Sequence, residues 1–380
     1  MTMTRPVTVS AACVVSGGQV LRPGWFTIVD GHIGDVGAGS PPTPADHDYP
    51  RHTVVPGFVD MHVHGGGGAS FTDGPHQVVD FHRARGTTTL VASLVSAPIP
   101  TLLDQIRELR THVVDGTVAG IHLEGPWLAA ERCGAHDPDV LVAPSANAVD
   151  DLLAAGGGAI RMVTLAPELD GALAAIARLV AAGVVVGVGR TDATYEQTAA
   201  AIEAGATVAT HLFNAMPSLH HREPGPVLAL LDDARVTVEL IADGVHVRPE
   251  MVAHVVRVVG AERVALVTDA MSAAGMADGD YRLGPVDVEV SGGVARVQGS
   301  DVIAGSTATP AGVFRRAAGG FGCGGGATDT SLVAAVEMCA RTPARALGIN
   351  GVGDLLPGYR ADCVVLDEDL MVRRVVRGGV

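Results

Sequence analysis

The sequence predicts an α/β fold, a (β/α)8 barrel that carries a small β-sandwich domain built from both chain termini. Along the middle of the chain, apolar strand-like segments alternate with Ala/Leu-rich helical segments, eight times at spacings of roughly 30 residues. Both ends instead carry short Val-rich segments between turn signals. The alternative, an open doubly wound sheet, is less favoured because no G-x-G-x-x-G follows a first strand.

The terminal segments are expected to pair with each other. Turn signals at 17–18, 23–24 and 30–31 indicate hairpins near the start, and 361–367 and 371–376 indicate two short strands near the end. We therefore assign residues 1–55 and 349–380 to the two parts of the β-sandwich and residues 56–348 to the barrel.

The predicted barrel strands end in polar residues at several positions. The strand ends fall at His62/His64, Ser93, His122/Glu124, Ala166, Gly189, His211, Ala242 and Asp269. Helical stretches follow most of them, for example at 199–204 and 249–259. Because catalytic residues of such barrels lie at the carboxyl ends of the strands, these polar residues are candidates for a site.

Composition excludes several classes of function. A net charge of -15 argues against nucleic acid or an anionic membrane as the main partner. All 26 Lys+Arg residues are Arg, which excludes mechanisms that need a lysine Schiff base or a carbamylated lysine between two metals. Five cysteines without C-x-x-C spacing, and residues 1–6 without the apolar core of a signal peptide, lead us to expect a cytoplasmic protein.

The first candidate ligands are His62 and His64. Residues two apart in a strand point to the same face, so both imidazoles project from the end of the apolar run 54–59. Two nitrogen ligands side by side suit a borderline divalent metal. Taken alone, the pair fits a solvated strand end equally well.

Three further strand ends strengthen the metal hypothesis. Glu124, His211 and Asp269 end the third, sixth and eighth predicted strands. Each one alone is explained by a polar group that is satisfied at a strand end. Together with the two histidines, they would converge on one rim of a closed barrel.

These residues lie in motifs that resemble the amidohydrolase superfamily and, more narrowly, the N-acetylglucosamine-6-phosphate deacetylases. The motifs are HLEGPW (122–127), GAH (134–136), THLFNAM (210–216), HHREPG (220–225), IADGVH (241–246), VTDA (267–270), AGST (304–307) and PGYRAD (357–362). The resemblance spans nearly the whole chain. It implies metal-dependent hydrolysis of the acetamide of N-acetyl-D-glucosamine 6-phosphate to D-glucosamine 6-phosphate and acetate, by a homodimer.

The resemblance also assigns roles to individual residues. A divalent ion, Zn²⁺ or Fe²⁺, would bind among His62, His64, Glu124, His211 and Asp269. Asp269 has the chemistry of a general base, and His136 would polarise the acetyl carbonyl. The substrate would contact Asn214, Ala215, His221, Arg222 and His246. Arg222 offers planar donors for the phosphate, although a solvated loop arginine paired with Glu223 is the plainer alternative.

The chain departs from the family pattern at Arg190. Family members usually have Gly-His-[Ser/Thr]-[Asn/Asp]-Ala after the fifth strand, with the histidine as a metal ligand, whereas this chain has Gly189-Arg190-Thr191-Asp192-Ala193. A guanidinium stays protonated and has no lone pair to donate. We therefore expect one well-formed metal site rather than two. A catalytically impaired sugar-phosphate-binding homologue, or an amidohydrolase that acts on a cyclic amide, are the alternatives.

Overall fold

The computed structural model describes residues 5–322 and 326–379. Residues 1–4 and Cys323 therefore lie outside the described residues. Residues 1–4 make up most of the segment from which we expect no signal peptide. Within the described ranges, no helix has the length and apolar character needed to cross a membrane.

Eight parallel strands form the centre of the molecule and confirm the predicted barrel. They are β1 (Phe58–Val63), β2 (Thr87–Leu94), β3 (Gly120–Glu124), β4 (Ile160–Leu165), β5 (Val185–Val188), β6 (Val208–Ala209), β7 (Thr237–Ile241) and β8 (Val264–Val267). Each strand is hydrogen-bonded to the next in chain order. Nearly all of their residues are buried, as expected for parallel strands covered by helices on the outside.

Among the described residues one helix follows each strand, whereas the sequence predicted helical stretches after most of them. The helices are α1 (Pro75–Arg83), α2 (Ile99–Val114), α3 (Ala146–Gly156), α4 (Ala172–Ala181), α5 (Tyr195–Glu203), α6 (Gly225–Asp232), α7 (Pro249–Val259) and α8 (Pro310–Ala318). Local signals set several starts: the Thr194 side chain caps α5 by accepting from the Gln197 N–H at 3.2 Å.

The barrel closes between β1 and β8 through buried polar groups. The Thr268 hydroxyl donates to Asp60 Oδ2 at 2.6 Å, and the Asp269 N–H donates to the carbonyl of His62 at 2.9 Å. Burial raises the pKa of the Asp60 carboxyl to about 6. This closure places the ends of the first and last strands side by side.

Both chain ends build one small β domain. Its seven strands, Val7–Ser16, Gln19–Leu21, Gly24–Val29, His32–Ala38, His47–Pro56, Cys363–Leu366 and Val372–Val376, belong to a single hydrogen-bonded sheet. The predicted C-terminal pair of strands is thereby confirmed. Because His47–Pro56 ends one residue before β1, the sheet is joined directly to the barrel strand that carries the two candidate ligands.

An insertion between β8 and α8 was not predicted. It contains a three-stranded antiparallel sheet of Gly279–Leu283, Val286–Ser291 and Val294–Val297. The remaining regular elements include the short paired strands Gly65–Gly66 and Ala69–Ser70 after β1, and the helical segments Asp329–Val336, Glu337–Arg341 and Thr342–Ala346 before the C-terminal strands.

Helix α1 anchors the backbone that follows His64. The buried His82 ring lies with Nε2 at 2.9 Å from the carbonyl oxygen of Gly65, so Nε2 carries a proton and donates it. Among the described residues, His82 Nδ1 is buried without a hydrogen-bond partner. A second proton there would therefore be unsolvated, and burial lowers the pKa of His82 to about 4.

This buried histidine makes stability depend on pH. The folded state favours neutral His82, so its contribution is fully present above the unfolded pKa near 6.5 and is lost as the pH falls towards about 4. In metal-free protein, urea unfolding measures how much the free energy of unfolding falls between pH 7.5 and pH 5. The fall should be about 2 kcal/mol larger in the wild type than in His82→Gln, a variant that keeps an N–H donor. Equal losses would contradict the assignment.

Candidate active site

Three potential ligands come together where the barrel closes. His62 and His64 direct their Nε2 atoms to within 3.2 Å of each other at the end of β1. Asp269, just after β8, places Oδ1 3.5 Å from His62 Nε2 and 3.2 Å from His64 Nε2. All three side chains are buried, and they form a group able to hold a metal ion.

The spacing of these atoms fits one tetrahedral ion. Ligands at about 2.0–2.1 Å from a tetrahedral zinc lie about 3.3–3.4 Å from one another, and the three separations here are 3.2, 3.5 and 3.2 Å. Glu124 Oε2 approaches from β3, at 3.1 Å from His64 Nε2 and 3.6 Å from His62 Nε2. His62, His64 and Asp269 therefore fit a divalent metal through two nitrogen donors and one oxygen donor, and Glu124 lies beside them.

Glu239 supports this group, and sequence reasoning missed it. The buried carboxylate on β7 accepts from His62 Nδ1 at 3.1 Å, which fixes Nδ1 as the protonated nitrogen and leaves Nε2 free for a metal. The same oxygen, Oε2, accepts from the His211 N–H at 3.1 Å. The sequence did offer one signal, because Glu239 is the single acidic residue in the apolar run 236–242. An acid buried in a strand is costly without a partner, so its position there indicates that a partner exists.

The other oxygen of Glu124 is bound by two different side chains. Oε1 lies 2.9 Å from His211 Nε2 and accepts from Arg190 Nε at 2.6 Å. Burial is the largest single effect and disfavours the charged carboxylate, but Arg190, His136 and His211 together outweigh it and hold the pKa of Glu124 well below its usual range. Arg190 thus lies beside His211, where the family pattern would place a metal-ligating histidine.

Arg190 also binds the loop between β3 and α3. Its Nη1 donates to the carbonyl of Cys133 at 2.9 Å, and its own carbonyl accepts from the Ala129 N–H at 3.0 Å. A Cβ at Gly134 would lie 2.3 Å from Arg190 Nη1, so any other residue there would displace the guanidinium, and the φ of 58° also favours glycine. The arginine therefore connects Glu124 to the loop that carries His136.

His136 presents a neutral N–H to the site. The Ser96 backbone N–H donates to His136 Nδ1 at 3.2 Å, and the Ser96 hydroxyl lies 2.8 Å from the same nitrogen. An Nδ1 that accepts from the backbone N–H leaves the ring proton on Nε2, which lies 3.3 Å from Glu124 Oε2. Burial, with Arg190 nearby, lowers the pKa of His136 to about 4. The ring is therefore a hydrogen-bond donor at neutral pH without being a cation. Ser96, which selects this tautomer, carries no distinctive sequence signal.

Three site residues are aimed by unusual backbone geometry. Arg190, His211 and Asp269 each lie two residues beyond the end of a barrel strand and have φ values of 48°, 30° and 47°. Left-handed conformations are uncommon outside glycine and cluster at functional sites. These conformations turn the chain sharply at the barrel rim. As a result, Arg190 and His211 point at Glu124, whereas Asp269 points at the two histidines of β1.

The predicted substrate residues lie around the same end of the barrel. His246, after β7, has Nδ1 2.7 Å from Asp243 Oδ2, which leaves Nε2 available. Asn214, after β6, donates to the carbonyl of His211 at 3.0 Å, and Ala215 follows it with a φ of 53°. His221 and Arg222 are on an exposed loop, 2.7 Å apart between Nε2 and Nη1.

One histidine of the motifs has a structural explanation. His122 lies on β3 inside the barrel, with Nδ1 2.9 Å from the Ser93 hydroxyl and Nε2 2.8 Å from the Thr164 hydroxyl. Burial lowers its pKa well below the usual value. Both ring nitrogens are thus engaged by hydroxyl groups, and His122 is a neutral histidine of the barrel core.

Comparisons with known proteins agree with this geometry. An N-acetylgalactosamine-6-phosphate deacetylase of Escherichia coli O157:H7 is 39% identical over 331 residues, covering 85% of each chain. An N-acetylglucosamine-6-phosphate deacetylase of Danio rerio is 37% identical and covers 88% of this chain and 86% of the relative.

Solved structures extend the likeness to the whole fold. An N-acetyl-D-glucosamine-6-phosphate deacetylase variant from Mycobacterium smegmatis, in complex with N-acetyl-D-glucosamine-6-phosphate, is 53% identical with a TM-score of 0.96 over 99% of both chains. The amidohydrolase family profile matches residues 53–380. The chain belongs to the amidohydrolase family.

Proposed function

We propose that this chain hydrolyses the acetamide of N-acetyl-D-glucosamine 6-phosphate to D-glucosamine 6-phosphate and acetate. The observation that carries the proposal is the buried group of His62, His64 and Asp269 beside the neutral N–H of His136. The similarity to deacetylases of amino-sugar phosphates supports the substrate class.

Asp269 is the proposed general base. Burial opposes ionisation of its carboxyl, but His62 and His64 outweigh it and hold the pKa of Asp269 below the usual range. The carboxylate is therefore ready to take a proton from the attacking water and to pass it to the departing amine. A divalent ion in this group would supply Lewis acidity, which makes water more acidic and a carbonyl more electrophilic.

His136 is the proposed electrophilic residue. A carbonyl oxygen that gains negative charge needs a donor already oriented towards it. The Ser96 N–H fixes His136 as the Nε2–H tautomer, and the surrounding burial keeps the ring neutral. The residue can therefore donate a hydrogen bond to the developing oxyanion without reorientation.

We propose that one divalent ion, Zn²⁺ or Fe²⁺, occupies the group formed by His62, His64, Asp269 and Glu124. Histidine and carboxylate donors suit both metals. The second position of the family keeps only Glu124 and His211, and the Arg190 guanidinium lies against the carboxylate oxygen that they share. The Arg190 guanidinium offsets the negative charge of Glu124, but it cannot activate water to hydroxide as a metal ion can.

The sugar phosphate is proposed to extend towards β6 and β7, where Asn214, Ala215 and His246 follow their strands and Arg222 offers its guanidinium to the phosphate. The loop 218–223 is exposed, including Leu219 with 58% of its surface accessible. This exposure supports the proposal of a homodimer in which His221 and Arg222 reach a second copy. We also propose a cytoplasmic location, in keeping with a phosphorylated sugar substrate.

The 4-epimer of the substrate is a second candidate, because the relative from Escherichia coli O157:H7 is named for N-acetylgalactosamine 6-phosphate. Acetate release from the two epimers, each with and without the phosphate, tests both. Release from N-acetyl-D-glucosamine 6-phosphate at the highest kcat/KM is expected. Tight binding without acetate release would support the impaired homologue. Ring opening of a cyclic amide, without acetate release from any of these sugars, would support the other alternative.

The metal content should depend on the residue at position 190. Elemental analysis should find one ion per chain in the wild type, none in His64→Ala, and up to two in Arg190→His, because the histidine would complete a second donor set. Arg190→Gln removes the charge without adding an imidazole, so this variant should still bind one metal ion per chain. Two tightly bound ions in the wild type would refute the single-site proposal.

Replacing His136 should affect the chemical step. His136→Ala should lower kcat by about 10²–10³-fold, the usual effect of losing one oxyanion donor, with metal content and KM nearly unchanged. His254→Ala on the exposed face of α7 is the surface control and should keep full activity. A loss of metal together with activity would instead indicate that His136 holds the site together.

Replacing Arg222 should affect phosphate recognition alone. Arg222→Ala should raise KM for the 6-phosphate about ten- to a hundredfold, the value of one charge-assisted hydrogen bond, while activity on the unphosphorylated sugar is unchanged. Arg248→Ala, an exposed arginine paired with Glu250, is the matched control. Equal losses on both sugars would contradict a phosphate-binding role.

A further inference from the structure

A cavity of about 460 Å³ reaches the metal-ligand group from the side of β1 and β2. His64 forms part of its wall, and Asp137, which follows His136, forms another part. The rest comes from the loops after β1 and β2, the first turns of α2 and the inserted sheet after β8. Its surface is mostly apolar, including Phe71, Leu94 and Leu283.

This cavity lies across the barrel from the proposed sugar-phosphate residues. Asn214 and Arg222 follow β6, and β2 lies diametrically opposite β6 in an eight-stranded ring ordered as the chain. The metal-ligand group lies between the two sides. A substrate whose sugar points to β6 and β7 therefore directs its other end towards the cavity.

The chemistry of the scissile bond defines that other end. The carbonyl carbon carries an oxygen, the amide nitrogen and the acyl carbon, and a secondary amide is planar and strongly prefers the trans form. In the trans form the sugar carbon and the acyl carbon lie on opposite sides of the C–N bond. With the oxygen at His136 and the nitrogen towards the sugar, the acyl carbon has to point away from β6.

We propose that the cavity between His64 and α2 is the acyl subsite and that it admits N-acyl groups longer than acetyl. A methyl group is about the size of a water molecule, whose share of liquid volume is about 30 Å³, so acetyl fills little of the space. The apolar wall suits an alkyl chain, and the polar groups at the entrance, such as Thr101, keep contact with water.

The proposal rests on the proposed deacetylase function, and substrates of graded acyl length separate the two. The kcat/KM values for N-propionyl- and N-butyryl-glucosamine 6-phosphate should lie within tenfold of the N-acetyl value. A fall of more than tenfold for N-propionyl, with normal hydrolysis of the N-acetyl sugar, overturns the subsite and leaves the function standing. Failure to release acetate from the N-acetyl sugar overturns both.

Variants that narrow the cavity test whether the tolerance of longer N-acyl groups arises there. Ala97→Phe in the wall and Thr101→Trp at the exposed entrance should each lower the ratio of N-butyryl to N-acetyl kcat/KM by at least tenfold. Ala97→Ser keeps the residue small, and Thr111→Trp places the same bulk on the same helix away from the cavity; both should keep the wild-type ratio. An unchanged ratio in a folded Thr101→Trp protein overturns the assignment.

Discussion

The two oxygens of the Glu124 carboxylate face different partners, and the site depends on that division. Oε2 faces the Nε2 atoms of His62 and His64, whereas Oε1 is held by Arg190 and His211. A buried carboxylate is costly unless positive charge and hydrogen bonds compensate it. Arg190 supplies a permanent part of that positive charge and the neighbouring histidines supply the rest of the contacts, so the carboxylate is held ionised and oriented.

A further set of buried groups fixes the orientation of the reactive atoms. Glu239 selects the His62 nitrogen that faces His64 and Asp269, and the Ser96 N–H selects the His136 nitrogen that faces Glu124. Neither contact involves a reacting atom. Each converts an imidazole with two equivalent tautomers into a group with one chemical role, as a ligand in the first case and as a donor in the second.

Much of this arrangement could be predicted from the sequence, because it follows from the repeat of strands and helices and from which residues stand at the strand ends. The repeated strand–helix pattern predicts the barrel, and the barrel places His62, Glu124, His211 and Asp269 on one rim. Glu239 and Ser96 could not be assigned, since their roles arise from contacts between strands far apart in the chain. The inserted sheet 279–297 was missed although one of its strands carries a signal, because Val286, Val288 and Val290 alternate with polar residues in the period of a half-buried strand. Val288 and Val290 are buried there.

The close contact between Arg190 and Gly134 has an evolutionary consequence. Some histidine and arginine codons differ by one base, so a single point mutation exchanges an imidazole for a fixed cation. The missing side chain at Gly134 leaves room for the guanidinium, because a Cβ there would lie 2.3 Å from Arg190 Nη1. A chain with glycine at position 134 is thus already prepared for a cation beside Glu124, and a single-base change at position 190 is enough to introduce it.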